Sequence, residues 1–223
     1  PGYYHCQSHK NWEVDSRFAI SCNCKKLKTM EVSILIIRQE RPEDYDTVYH
    51  VVKEAFENAE YTDGNEQNLV AALRKSKSFI PELSLVAVED EKIVGHILFT
   101  KAVVQGVEVL ALAPLSVLPD YQNRGIGLSL MKEGHSIAHK LGYEYSVVLG
   151  HSKYYPKAGY IPASECGIKV PFEVDDESFM ALNLNGSQNK LNGVIEYDKA
   201  FGIWCKKLEV GKVKHRWIKV ELL

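Results

Sequence analysis

The chain contains the stretch Gln122-Asn123-Arg124-Gly125-Ile126-Gly127, which lies between an apolar run and a segment with helical spacing. A strand, a glycine-bearing turn and a helix in this order are typical of an anion site. The two glycines lack a Cβ, so the backbone there can approach a phosphate closely. The helix that follows directs its unpaired N–H groups and the positive end of its dipole toward the same point. The Gln122 and Arg124 side chains can add further donors. The stretch therefore predicts a pyrophosphate site.

This glycine turn differs from the two common nucleotide-binding patterns. It lacks the Gly-Lys-Ser/Thr ending of a P-loop and the three-glycine spacing of dinucleotide-binding folds. It matches Gln/Arg-x-x-Gly-x-Gly/Ala instead, and so resembles the coenzyme-A-binding turn of the GNAT N-acetyltransferase superfamily. A tight turn that binds nothing is the plain alternative for this stretch taken alone.

A second block strengthens the resemblance. Tyr154-Tyr155-Pro156-Lys157-Ala158-Gly159-Tyr160 is similar to the Phe-Tyr-x-Lys-x-Gly-Phe block of many GNAT enzymes. One predicted helix (about 125–141) and one predicted strand (about 145–150) separate the two blocks, as in that family. The resemblance covers roughly residues 33–165, at most to 203, and is closest to small bacterial predicted acetyltransferases. It implies an α/β (α+β) fold of the GNAT type, with a central mixed, mostly antiparallel sheet that splays into a V and is flanked by helices.

Charge divides the chain into three parts. Residues 1–30 carry a net charge of +3 and residues 204–223 carry +4, so that the total of −2 leaves −9 for the segment between them. We expect a GNAT domain at 31–203, a poorly defined basic extension before it, with Met30 as a reasonable original start, and a basic extension after it. An acidic domain would steer a cationic acceptor toward itself, and equally it could serve solubility.

Composition excludes several classes of protein. No apolar run approaches the roughly 18 residues of a membrane helix, and no secretory signal is visible at the N-terminus. The five cysteines are scattered and odd in number, which argues against a disulfide framework and predicts a cytoplasmic protein. Cys22-x-Cys24 fits no zinc pattern, so we expect no metal. Neither basic tail contains a nucleic-acid motif, and we expect neither nucleic acid nor membrane as a partner.

Proline and serine positions refine the predicted elements. Pro114 interrupts a long apolar strand at 107–118, and because proline cannot donate to a ladder it predicts a bulge or a splayed edge. In the GNAT fold this strand parts from its neighbour there and admits the pantetheine arm of the coenzyme. Ser152 is expected to cap a short helix at 153–158.

The resemblance implies transfer of an acetyl group from acetyl-CoA to an amine of a small molecule or peptide, by direct attack through a tetrahedral intermediate. Backbone N–H groups of residues 122–127 would hold the pyrophosphate, and backbone at Ser116, Val117 and Leu118 would pair with pantetheine. The N–H of Val117 is the expected oxyanion donor. Ser152 and Tyr154 are also expected at the cofactor.

Proton transfer needs an acid and a base. Tyr155 occupies the tyrosine position that supplies the general acid in many family members, and its alternative role is to pack against the coenzyme; a phenol stays protonated at neutral pH. The base is open among Glu66, Glu108, Asp120 and His151. We take Glu66 and His151 as the catalytic candidates, because one heads the predicted second helix beside the acceptor cleft and the other ends a strand and titrates in a useful range.

The acceptor is not identified by the sequence. Dimers are common among similar proteins, so a homodimer is one expected assembly. The rival interpretation is a non-catalytic acyl-CoA-binding or sensor module on the same fold, and a longer acyl donor or a hydroxyl acceptor is a further alternative.

Overall fold

The computed structural model describes residues 34–59, 62, 64–186 and 190–203, and the extensions predicted at 1–30 and 204–223 lie outside them. The strands are β1 (Leu35–Gln39), β2 (Phe79–Glu89), β3 (Lys92–Val104), β4 (Val107–Val117), β5 (Tyr145–Leu149), β6 (Ile161–Pro162), β7 (Ile168–Lys169), β8 (Phe179–Asn183) and β9 (Gly193–Glu196). The helices are α1 (Tyr45–Phe56), α2 (Glu66–Leu73) and α3 (Ile126–Lys140). None of the described helices is long and apolar enough to cross a membrane.

The strands form one mixed sheet in the order β1-β2-β3-β4-β5-β8-β6. Along this path β4 and β5 are parallel, and the other neighbours are antiparallel. The predicted fold class, a mostly antiparallel GNAT sheet flanked by helices, is confirmed. Parallel neighbours require a crossover between them, and α3 with its glycine turn is that crossover.

Helices cover the sheet on both faces. A Cβ added at Gly95 of β3 would meet Leu130 and Ile126 of α3, so this position faces α3. Because side chains alternate along a strand, the neighbouring His96 points to the opposite face, where α1 packs. The core beneath α1 includes Val48 and Val52, both fully buried, and burial of each such side chain contributes about 1.5–3 kcal/mol.

A buried polar network links the end of β1 to α2 and the central strands. Glu40 accepts hydrogen bonds from the Arg74 guanidinium, with Nε at 3.1 Å, and from Ser84 Oγ at 2.6 Å. His96 Nε2 lies 3.2 Å from the same serine oxygen. Because Ser84 donates its single proton to the carboxylate, its oxygen accepts from His96, which places a proton on Nε2. The sequence analysis did not predict this network, since its members come from four separate segments.

Two local predictions have different outcomes. The register between β3 and β4 shifts between Ile97 and Phe99, opposite the segment that contains Pro114, so the predicted bulge is confirmed. The predicted cap at Ser152 is wrong: the short helix is a 3-10 turn, Tyr155–Ala158, and Tyr154 is its N-cap without a side-chain cap bond.

Candidate active site

A cavity opens where β4 and β5 separate. Within the described residues these strands pair only at Leu110 with Ser146 and at Ala111 with Val147, after which β4 enters its bulge. The cavity has a volume of about 630 Å³. Its walls come from β4, β5, α2, the loop after β7 and the segment from β9 onward. The lining includes Glu66, Leu69, Leu112, Pro114, Phe172, Glu196, Tyr197, Asp198, Lys199 and Phe201.

The three residues around the end of β4 that are expected at pantetheine differ in the direction of their backbone groups. Leu118 donates its N–H to the Val94 carbonyl of the β3 side at 2.9 Å. In an antiparallel ladder, residues alternate between bonding the partner strand and turning away from it, so Ser116 also bonds β3 and Val117 turns toward β5. The N–H of Leu118 is thus bonded within the sheet, and the pairing of backbone at Ser116 and Leu118 with pantetheine stays a prediction. The role of Val117 remains a prediction that this geometry permits.

The glycine turn forms the start of α3. Gly125 is the N-cap with φ +81°, and Asn123 has φ +59°. Left-handed backbone next to helical backbone is the conformation in which successive N–H groups can form an anion nest. The first N–H groups of α3, from Ile126 onward, have no acceptor within the helix.

Gln122 is held by the turn itself. Its backbone N–H donates to the Pro119 carbonyl at 3.2 Å, and its side-chain Nε2 donates to the Val117 carbonyl at 3.1 Å. One of the two amide protons of Gln122 is thus engaged, and its contact with pyrophosphate stays a prediction. Its side chain joins the end of β4 to the turn and so positions the turn.

Arg124 makes its contacts on the outside of the same turn. Its Nη2 donates to the Asp120 carbonyl at 2.8 Å, and Nη1 lies 3.4 Å from Glu89 Oε2. The guanidinium also stacks over the Tyr121 ring at 4.9 Å from the centroid. These contacts hold its charge beside the turn, and its role as a donor to pyrophosphate stays a prediction.

The two tyrosines of the second block occupy different environments. A Cβ placed on Gly127 would collide with the Tyr154 hydroxyl, so that hydroxyl lies directly at the mouth of α3. Tyr155 is fully buried, and its ring meets those of Tyr154 and Tyr160 edge-on at centroid distances of 5.5 and 5.7 Å. Burial raises the pKa of Tyr155 well above 10, so it is protonated at neutral pH. Its hydroxyl has no hydrogen-bond partner among the residues that the structure describes.

Of the four proposed bases, the structure brings Glu66 to the cavity. Glu66 is the first residue of α2, is 1% exposed, and accepts a 2.6 Å hydrogen bond from Thr62 Oγ1. Glu108 instead pairs on the surface with Lys101 at 3.1 Å.

His151 and Asp120 lie elsewhere. His151 Nδ1 accepts from the Lys153 backbone at 3.1 Å, and neither His151 nor the exposed Asp120 is among the residues that line the cavity. The catalytic roles of His151 and Glu66 both stay predictions; of the two residues, Glu66 is the one that lines the cavity.

The part of the chain that contains the glycine turn and the second block matches a known protein family. The sequence model of the acetyltransferase (GNAT) family matches residues 45–160, from α1 to the second tyrosine block. This chain belongs to the GNAT family. The expected resemblance is thus confirmed.

Named relatives and solved structures agree with this assignment. The Escherichia coli protein YjhQ, called an uncharacterized N-acetyltransferase, is 38% identical over 138 residues, which cover 58% of this chain and 76% of YjhQ. A Brucella melitensis GNAT acetyltransferase solved with acetyl-CoA is 32% identical, with a TM-score of 0.64 over 75% of this chain and 98% of that one. The E. coli GNAT protein YhbS, solved with CoA, is 26% identical, with a TM-score of 0.68 over 75% and 92%.

The residues present in this GNAT protein fit acetyl-CoA. Position 127 has no Cβ and is buried beside the Tyr154 hydroxyl, the turn before it is left-handed at Gly125, and the backbone of Val117 faces the side of β4 on which β5 lies. The aromatic walls of the adjoining cavity, Phe172, Tyr197 and Phe201, were missed by sequence analysis. No short motif marks them, because they are distant from the two blocks in the chain and meet the cavity only after folding.

Proposed function

We propose that this GNAT protein is an N-acetyltransferase that moves the acetyl group of acetyl-CoA to an amine. The observation that carries the proposal is the cavity itself: it opens at the parting of β4 and β5, and the buried carboxylate of Glu66 lies in its wall. Acetyl-CoA would supply an activated thioester and a thiolate leaving group.

Cofactor binding is assigned to backbone groups. The N–H groups of Asn123, Gly125, Ile126 and Gly127 would hold the pyrophosphate, supported by the left-handed turn and the helix N-terminus. The Val117 N–H would bind in the slot between β4 and β5, either as one more strand-like pair or as a donor to the carbonyl oxygen of the thioester.

Two side chains handle the protons. Glu66 takes one proton from the acceptor ammonium, whose pKa of about 10.4 keeps it charged at neutral pH. The free amine nitrogen then forms a C–N bond to the acetyl carbon, which gives the tetrahedral intermediate. As the C–S bond breaks, the nitrogen releases its second proton, and this proton replaces the one that Tyr155 gives up. Tyr155 gives its phenolic proton to the departing thiolate; its protonated, buried hydroxyl without a described partner supports this assignment.

The adjacent tyrosines provide a matched test. Tyr155→Phe removes the proton donor but keeps the ring contacts, so kcat should fall by roughly 10²-fold while the Kd for CoA is retained. Tyr154→Phe is the control, and its kcat should stay within a few-fold of the parent value. Equal, small effects of both substitutions would remove Tyr155 from the mechanism. A chain that binds acetyl-CoA yet releases no CoA with any amine would instead be the acyl-CoA-binding module.

A further inference from the structure

Resting on the proposed function, we infer that the acceptor is a small monoamine: one primary ammonium carried on an apolar, preferably aromatic, body. The sequence leaves the acceptor open among small molecules and peptides. The walls of the cavity and the placement of its charged groups narrow that choice.

The walls are mainly carbon. Leu69, Leu112 and Pro114 contribute aliphatic surface, and Phe172 and Phe201 contribute aromatic rings. Burial of apolar ligand surface against such walls is favourable in proportion to the area removed from water. A polar acceptor would lose its hydration there without gaining hydrogen-bond partners in return.

The charged side chains that line the cavity differ in burial and in their hydrogen bonds. Glu66 is the buried carboxylate. Asp198 is half-buried rather than buried, and its two carboxylate oxygens accept from Ser78 Oγ at 2.6 Å and from the Ala200 backbone at 2.8 Å, which fixes their orientation. Glu196 and Lys199 are exposed and of opposite charge. The buried part of the cavity therefore matches a single ammonium near Glu66.

The same arrangement disfavours acceptors with several charges. A second ammonium on a polyamine, or the several ammonium groups of an aminoglycoside, would lie against the apolar walls without a buried counter-charge. The volume of about 630 Å³ falls within the range typical of small-molecule sites. It leaves room for an aromatic ring beside the reacting end of the thioester.

The experiment compares single amines in a CoA-release assay with saturating acetyl-CoA. We expect kcat/KM for 2-phenylethylamine to exceed that for 1,4-diaminobutane and for kanamycin by at least tenfold. Higher activity with either of the polycationic amines would overturn the inference and leave the proposed function intact. If acetyl-CoA binds and none of the three amines is turned over, the inference fails, whereas the proposed function fails only if no amine of any class releases CoA.

Substitutions in the wall make the test specific. Phe172 lies in a partly exposed loop, so Phe172→Ala should raise the KM for 2-phenylethylamine by several-fold and leave the KM for acetyl-CoA unchanged. Phe172→Glu adds a further carboxylate to the lining and should shift the preference toward 1,4-diaminobutane. Glu43→Gln is the control, because this exposed carboxylate lies outside the cavity lining, and it should change neither ratio. Wild-type selectivity in both Phe172 variants would place the acceptor elsewhere and overturn the inference.

Discussion

The hydroxyl of Tyr154 occupies the space that a side chain at Gly127 would need. This contact joins the two motifs that define the family resemblance, one at the start of α3 and one after β5. It explains why position 127 must lack a Cβ even before a coenzyme is considered. The glycine at 127 thus serves the packing of the apoprotein and the approach of the cofactor together.

Gly127→Ala should lower CoA affinity by tenfold or more, because the new methyl group displaces Tyr154 at the mouth of α3. Isothermal titration with CoA measures the loss. Gly134→Ala is the control on the same helix: its Cβ would collide with the Phe99 ring in the core, so it should lower the melting temperature without changing the Kd of the folded protein. Equal affinity in Gly127→Ala and the parent would contradict the assignment of this turn.

Glu40→Gln should destabilise the fold by about 3–5 kcal/mol at neutral pH, because the buried Arg74 guanidinium would lose its counter-charge. Chemical denaturation measures the change. Glu43→Gln is the matched control, since its ion pair with Arg41 is largely exposed and spans 3.8 Å; we expect a change below about 1 kcal/mol there. Similar losses in the two variants would show that the buried network is not a stability element.

The same carboxylate makes stability depend on pH. Burial alone would raise the pKa of Glu40, but contacts with His96, Arg74 and Ser84 outweigh it and lower the pKa from 4.5 to about 2. The stabilisation is therefore complete above pH 4.5 and is lost as the pH falls toward 2, with a total of about 3 kcal/mol. Denaturation curves between pH 6 and 2 should show a steeper loss in the parent than in Glu40→Gln.

His135 should stay neutral well below the usual range of histidine. Burial lowers its pKa from 6.5 to about 4. Between these two pH values the His135 ring is protonated in the unfolded chain and neutral in the folded one. Stability present above pH 6.5 is then lost as the pH falls toward 4. An NMR titration of the His135 ring measures this pKa directly. Tyr160→Phe removes a 3.0 Å hydrogen bond but keeps the burial, and the pKa should remain low; a midpoint near 6.5 in the parent would refute the assignment.

Local chemistry explains what the sequence could predict. Gly125 and Gly127 predict a turn that needs a left-handed residue or a close approach of the backbone. Pro114 predicts a missing hydrogen bond in the strand ladder. Neither prediction depends on distant residues. Both features appear in the structure where the sequence places them. Tyr155 was named from its block alone, and the block does not indicate that the side chain would be fully buried.

The missed features depend on long-range pairing. The N–H of Leu118 donates to the carbonyl of Val94. Which residues of β4 form such bonds depends on the register of β3 and β4, and the sequence alone does not give that register. The network of Glu40, Arg74 and His96 likewise assembles residues that no periodicity connects. The acceptor cavity belongs to this second class, because its aromatic walls come from the distant end of the chain.

The brief pairing of β4 with β5 has a mechanical consequence. The described ladder between these strands has two paired positions. The half of the sheet that ends at β4 is therefore joined to the half that begins at β5 by few backbone hydrogen bonds. A pantetheine arm that hydrogen-bonds to Val117 would lie between β4 and β5 like an added strand and would hold the two halves of the sheet together. Amide exchange in β5 and β8 should then slow when CoA is added, in a region that contributes little to pyrophosphate contact itself.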